Sequence, residues 1–168
     1  MKISYRTMRA GEEAAASAVV NAAFSELVAP GYSEEGVEEF RSYAHANSIK
    51  ARRGSTSKPH YALVATAAQE GGSEEIVGVG EVRSFEHLSM LFVHPDWHRH
   101  GIAGELFARL LAEVRSQNPE LERLTVNSSP FAVPVYERFE FEVTGEPITI
   151  SGIIHIPMAL DLAEDDQG

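Results

Sequence analysis

The run His98-Arg99-His100-Gly101-Ile102-Ala103-Gly104 concentrates the residues best suited to hold an anion. It follows a nearly unbroken apolar stretch, Leu88 to Val93, and opens a segment in which Ile102, Leu106, Leu110 and Val114 recur every four residues. That spacing predicts an amphipathic helix that starts at Gly101 and ends at Asn118-Pro119. A helix start presents N–H groups without intrahelical partners and the positive end of the peptide dipole, so it attracts phosphate. Gly101, Ala103 and Gly104 keep side chains small there, which lets a pyrophosphate approach the backbone. His98, Arg99 and His100 add cationic or hydrogen-bonding groups at the rim. Read from residues alone, this is strand, anion loop and helix, with an ordinary glycine-rich helix start as the plainer alternative. The run is not a Walker loop, and Gly78-Val79-Gly80 is not a dinucleotide fingerprint. His94, His98 and His100 also raise the idea of zinc, but no further ligand follows at a recognised spacing, and no metal is expected.

The elements that must position this loop can be read from periodicity. Lys2 to Met8 reads as a strand, and Ala14, Ala15, Ala18, Val19, Ala22, Ala23 and Leu27 recur at helical spacing. Ala29-Pro30-Gly31 breaks that helix; Ser33 then serves as N-cap, with Glu34 and Glu35 in the first turn, for a second helix to about Arg53. Tyr61 to Ala67 and Ile76 to Arg83 form an antiparallel hairpin, and Leu88 to Val93 a central strand buried on both faces. After the helix come a strand at Leu121 to Val126, a short helix at Pro130 to Arg138, a strand at Phe139 to Val143 and a last strand at Ile153 to Leu160. The expected fold is α/β: a mixed, mostly antiparallel twisted sheet flanked by helices on both faces, in a single domain over 1–168.

Composition narrows the chemistry. The 168 residues include no cysteine, which removes thiol nucleophiles and disulfides. A formal net charge of −11 would repel a phosphate backbone, so nucleic acid is not an expected partner, and a cationic one is mildly favoured. No apolar run reaches membrane-spanning length and the N-terminus is polar, so a cytoplasmic location away from membranes is expected.

Two longer motifs carry a resemblance that covers most of the chain. LSMLFVHPDWHRHGIAGELFARLL resembles the acetyl-CoA signature of the GCN5-related N-acetyltransferase (GNAT) superfamily, and VNSSPFAVPVYERFEF resembles its second signature. The superfamily's pyrophosphate pattern falls on His98, Gly101 and Ala103, with His98 standing where Gln or Arg is usual. Glu140 stands where a Gly usually precedes the phenylalanine. The resemblance implies an acetyl-CoA-binding core at about 76–143 and acceptor-pocket helices at about 11–53. It implies that the backbone of Leu91, Phe92 and Val93 pairs with the pantetheine arm, and that an N–H of this strand meets the thioester oxygen. Asn127 falls where a cofactor-contacting Asn is common.

For the reaction, the resemblance implies direct transfer of acetyl from acetyl-CoA to a primary amine of a small molecule or peptide. Tyr136 falls where similar enzymes carry the tyrosine that protonates the departing thiolate; a tyrosine packed beside Phe139 and Phe141 is the plainer reading. The amine must lose a proton before it attacks. His87, six residues before Val93, falls where histone-modifying members carry a catalytic glutamate, and an imidazole titrates near neutrality. Glu81 and Glu86 are weaker candidates for that base. Phe24, Tyr32, Phe40 and Tyr43 lie where similar enzymes build the acceptor pocket. A homodimer is suggested by the resemblance alone. The departures at His98 and Glu140 also fit a second reading, an acyl-CoA sensor of the same fold without turnover.

Overall fold

The structure, a computed structural model, describes residues 2–163. Its strands are β1 (Ile3–Thr7), β2 (His60–Ala68), β3 (Glu74–Arg83), β4 (His87–Val93), β5 (Arg123–Ser128), β6 (Glu142–Val143), β7 (Ile148–Ile150) and β8 (Ile153–Asp161). Its α-helices are α1 (Glu13–Ala23), α2 (Glu34–Tyr43), α3 (Ala46–Arg53), α4 (Ile102–Gln117) and α5 (Val133–Arg138). The strands hydrogen-bond in the order β1-β2-β3-β4-β5-β8-β6, with β7 paired to β8. All neighbours run antiparallel except β4 and β5. This is the mixed, mostly antiparallel α/β sheet that the sequence predicts.

Period-two alternation sends successive side chains to opposite faces, and each face has its own core. Leu63, Leu88, Val93 and Val126 pack with Ile102, Leu106 and Leu110 of α4. Ala62, Val64, Val79 and Met90 pack with Val19, Val20 and Ile49 of the N-terminal helices. Helix α4 lies unusually close to the sheet because β3 has no side chain beneath it at two points. A Cβ on Gly78 would stand 3.0 Å from Leu106 Cδ1, and one on Gly80 2.7 Å from Leu110 Cδ1. Close packing of helix on sheet, rather than nucleotide binding, accounts for the Gly78-Val79-Gly80 spacing.

Several elements depart from the sequence reading. The expected helix from Ser33 to Arg53 is two helices, because His45 adopts an extended backbone and its Nδ1 accepts the Asn47 N–H at 3.1 Å, capping α3. Ser33 does cap α2, accepting the Gly36 N–H at 3.1 Å. The first helix ends in a π-helical turn, Phe24–Val28. Strand β7 was not expected, and β6 is only two residues long. Strand β4 is not buried throughout: Leu88, Met90 and Val93 are buried, but His87, Ser89, Leu91 and Phe92 are half-exposed because a cleft opens beside them.

Candidate functional site

The cleft arises from a failure of pairing. Parallel strands β4 and β5 pair only at His87 with Thr125 and Leu88 with Val126, and then part. A bulge assists the parting: Glu81 pairs with Met90 and Val82 with Leu88, which leaves Ser89 as an extra residue. Beyond it, His94 N–H bonds to Val77 O on β3 at 2.9 Å. By alternation, the polar backbone groups of Leu91 and Val93 turn away from β3 toward the gap left by β5. A strand edge inside the molecule is thereby left open along a cavity of about 880 Å³.

At the far end of β4 the chain makes a 3₁₀ turn, Pro95–Trp97, and enters α4 through Gly101, whose φ of 74° is the left-handed conformation that suits glycine. No side chain caps α4. The N–H groups of its first residues, Ile102, Ala103 and Gly104, therefore face the cavity without intrahelical acceptors. A Cβ on Gly101 would meet nothing within 4 Å, so open space lies before this helix start.

Of the residues singled out from sequence, His87, Leu91, Phe92, Val93, His98, Arg99, Gly101, Ile102, Ala103, Gly104, Asn127 and Tyr136 line this one cavity. His100 does not: it is turned back onto the loop, its Nδ1 donating to the carbonyls of His98 at 2.9 Å and Trp97 at 3.1 Å. His94 Nδ1 accepts the Asp96 N–H, so the three imidazoles of the loop have separate partners. Among the described residues, no three His, Asp or Glu side chains are grouped to hold a metal.

Tyr136 is buried on α5, its ring edge-on to Phe141 at 5.6 Å. Burial raises its pKa, so the phenol keeps its proton. At the start of β4, His87 Nδ1 lies 2.8 Å from Thr125 Oγ1, and Thr125 Oγ1 donates to Glu86 O at 3.3 Å. The threonine hydrogen is thus committed, so His87 Nδ1–H is the donor and Nε2 keeps its lone pair. Burial, then the charges of Arg83 and His155, lowers its pKa to about 4, so the ring is neutral at pH 7. Glu86 is exposed and does not line the cavity. Glu81 is fully buried and does not line the cavity; Ser89, which does, donates its Oγ to Glu81 Oε1 at 2.8 Å. Arg52 Nε stands 3.5 Å from the same carboxyl.

Phe24, Tyr32, Phe40 and Tyr43 line the end of the cavity nearest α1 and α2. A second wall there, Ile150 to His155, was missed from sequence. The signal was present: Ser151-Gly152 between isoleucines is a two-residue hairpin turn, and both residues have positive φ, 51° and 80°. Arg138, a cation on the cavity wall, was also missed.

A family model described as an acetyltransferase (GNAT) domain matches residues 28–162. The chain belongs to the GNAT acetyltransferase family. Its fold is shared with solved members. A GCN5-related N-acetyltransferase from Rhodopseudomonas palustris is 22% identical with a TM-score of 0.78, the match covering 96% of this chain and 97% of that one. A PaiA N-acetyltransferase from Thermoplasma acidophilum, solved with coenzyme A, is 16% identical with a TM-score of 0.74 over 96% and 99%. A GNAT acetyltransferase from Brucella melitensis, solved with acetyl-CoA, is 19% identical with a TM-score of 0.61 over 96% and 89%. No curated protein matches the chain.

Both departures from the GNAT pattern have a physical account. His98 Nε2 donates to Val93 O at 2.9 Å, tying the loop back onto the end of β4. Its imidazole is thus committed to the strand end. Glu140 has φ 75° and takes the left-handed position that glycine usually fills after α5. The turn closes all the same, with Phe141 N–H on Tyr136 O and Glu140 N–H on Glu137 O, both at 3.0 Å.

Proposed function

We propose that this protein transfers the acetyl group of acetyl-CoA directly to a primary amine in a ternary complex. The observation that carries the reading is the parted pair β4 and β5, which leaves an open strand edge leading to an uncapped helix start. The edge suits an extended, amide-bearing arm, and the helix start suits a pyrophosphate. The thioester of acetyl-CoA supplies an activated acetyl carbon.

The chain's own residues divide the work. The backbone groups of Leu91 and the N–H of Val93, whose carbonyl already accepts from His98, bond the arm, Phe92 packs beside it, and one N–H of the strand stabilises charge on the thioester oxygen. The N–H groups of Ile102, Ala103 and Gly104 take the pyrophosphate, with Arg99 at the rim and Asn127 on the facing strand. Tyr136 presents its O–H to the departing sulfur, stabilising the developing charge and giving up its proton. His87 Nε2 accepts a hydrogen bond from the amine and takes its proton as it attacks. With a pKa of about 4, the ring holds that proton briefly and passes it to solvent.

Free CoA release with a panel of amines tests this reading. Turnover with at least one amine is expected, and Tyr136→Phe, which leaves the buried ring in place, should lower kcat roughly 100-fold with acetyl-CoA affinity unchanged. Acetyl-CoA binding without turnover on any amine would overturn it in favour of a binding module.

A further inference from the structure

Two walls enclose the acceptor end of the cavity, and they touch. One carries Phe24, Tyr32 and Phe40; the other is the β7–β8 hairpin. Tyr32 Oη donates to Ile154 O at 3.3 Å. Beside that bond, the start of α2 meets the hairpin turn backbone to backbone. A Cβ on Gly36 would stand 2.8 Å from the Gly152 carbonyl carbon, and one on Gly152 would stand 2.8 Å from both Gly36 Cα and Ser33 Oγ. Gly36 sits in the first turn of α2 without a positive φ, a position where alanine is better by about 1 kcal/mol. Its missing side chain serves the contact and not the helix.

The space inside this bridge is bordered by an aromatic cluster. Phe24 stacks on Phe40 at 3.9 Å between centroids, and Tyr32 and Phe92 stand edge-on to that pair, each at 5.6 Å. Rings offer no partners for the amide groups of a peptide, the polar side chains beside them, such as Ser89, Ser151 and His155, are scattered, and leaving amides unpaired is costly. Glu39 is the one carboxylate among the described residues lining the cavity, and it is exposed.

We infer that the acceptor is a small primary amine with an apolar, ring-sized body, and that the Gly36–Gly152 bridge closes the acceptor end against polypeptides. This rests on the acetyl-transfer reading above. The amine reaches β4 at His87 while its body fills the aromatic end.

The test compares 2-phenylethylamine with a short peptide bearing a free N-terminus and one lysine, in the native protein and in Gly36→Ala. Alanine suits the helix, so the variant should fold, but its methyl must push the hairpin away. The native protein should prefer the phenylethylamine by roughly 100-fold in kcat/KM, and the variant should narrow that ratio by roughly 10-fold. Calorimetry should show weaker phenylethylamine binding to the variant's CoA complex and an unchanged acetyl-CoA Kd. Should Gly36→Ala not fold, Tyr32→Phe, which removes only the bond to Ile154, should shift the ratio in the same direction. Equal use of the peptide by the native protein, or a ratio unmoved in the folded variant, would overturn the inference. Failure of the underlying reading looks different: no CoA release with either acceptor.

Discussion

The two halves of the cavity are made of different material. The half at β4 and α4 is built from backbone: an open strand edge, uncapped N–H groups and a left-handed glycine. The half at α1, α2 and β8 is built from side chains: the rings of Phe24, Tyr32 and Phe40, joined from the start of β4 by the neutral imidazole of His87 and by Ser89, beneath which lie Glu81 and Arg52. A backbone site depends on where the chain runs, so it tolerates changes such as His98 for Gln or Arg. A side-chain site depends on each residue, so single substitutions should alter it.

The largest stability contrast between the halves should come from removing one polar partner in each. Glu81→Gln leaves Arg52 with its charge uncompensated in a buried setting and should destabilise the fold by roughly 3 kcal/mol in urea unfolding. His98→Ala removes one hydrogen bond at an exposed site and should cost about 1 kcal/mol or less, with acetyl-CoA affinity changing by less than about threefold. Equal costs at the two sites would break the comparison.

A pH series sharpens it further. His87 has a folded pKa of about 4 against an ordinary 6.5, so the unfolded chain binds more protons between those values. The stability linked to this ring is fully present above about pH 6.5 and is lost as pH falls toward 4. The Tm should therefore drop across that window, less steeply in His87→Gln. Some slope should remain, because burial also lowers His155.

A further small effect should be a gain. Glu140 holds a left-handed backbone that costs an L-residue about 1 kcal/mol, so Glu140→Gly should stabilise by about that amount without altering catalysis. A loss of stability instead would mean that the glutamate side chain holds the turn.

The same division decides what was legible in the sequence. The strand, turn and helix start could be read because their parts are contiguous: an apolar strand, small residues from Gly101 to Gly104, and a four-residue repeat. Helix α4 follows from local pattern in the same way, whereas Leu91 to Val93 were singled out by the resemblance of the motif that contains them. The end of the cavity at α1, α2 and β8 draws on residues from Phe24 to His155, and no local pattern links them. The break at His45 was hidden because its cap is a histidine side chain within an otherwise helical run. Strand β7 was hidden because Ile148 and Ile150 are exposed, so three residues gave neither alternation nor length. His98 matched a motif position by number, but its imidazole turns to Val93 O, a direction that letters do not encode.

On the proposed function, backbone at β4 and the start of α4 holds acetyl-CoA. Ala103 lines the cavity in the first turn of α4, and Ala103→Glu would place a carboxylate against the pyrophosphate. Calorimetric titration of acetyl-CoA into the native protein and this variant is the direct test. Clear binding by the native protein, weakened roughly 100-fold or more in a folded variant, is the predicted result. Equal binding by the two, or none by folded native protein free of co-purified CoA, would contradict the account.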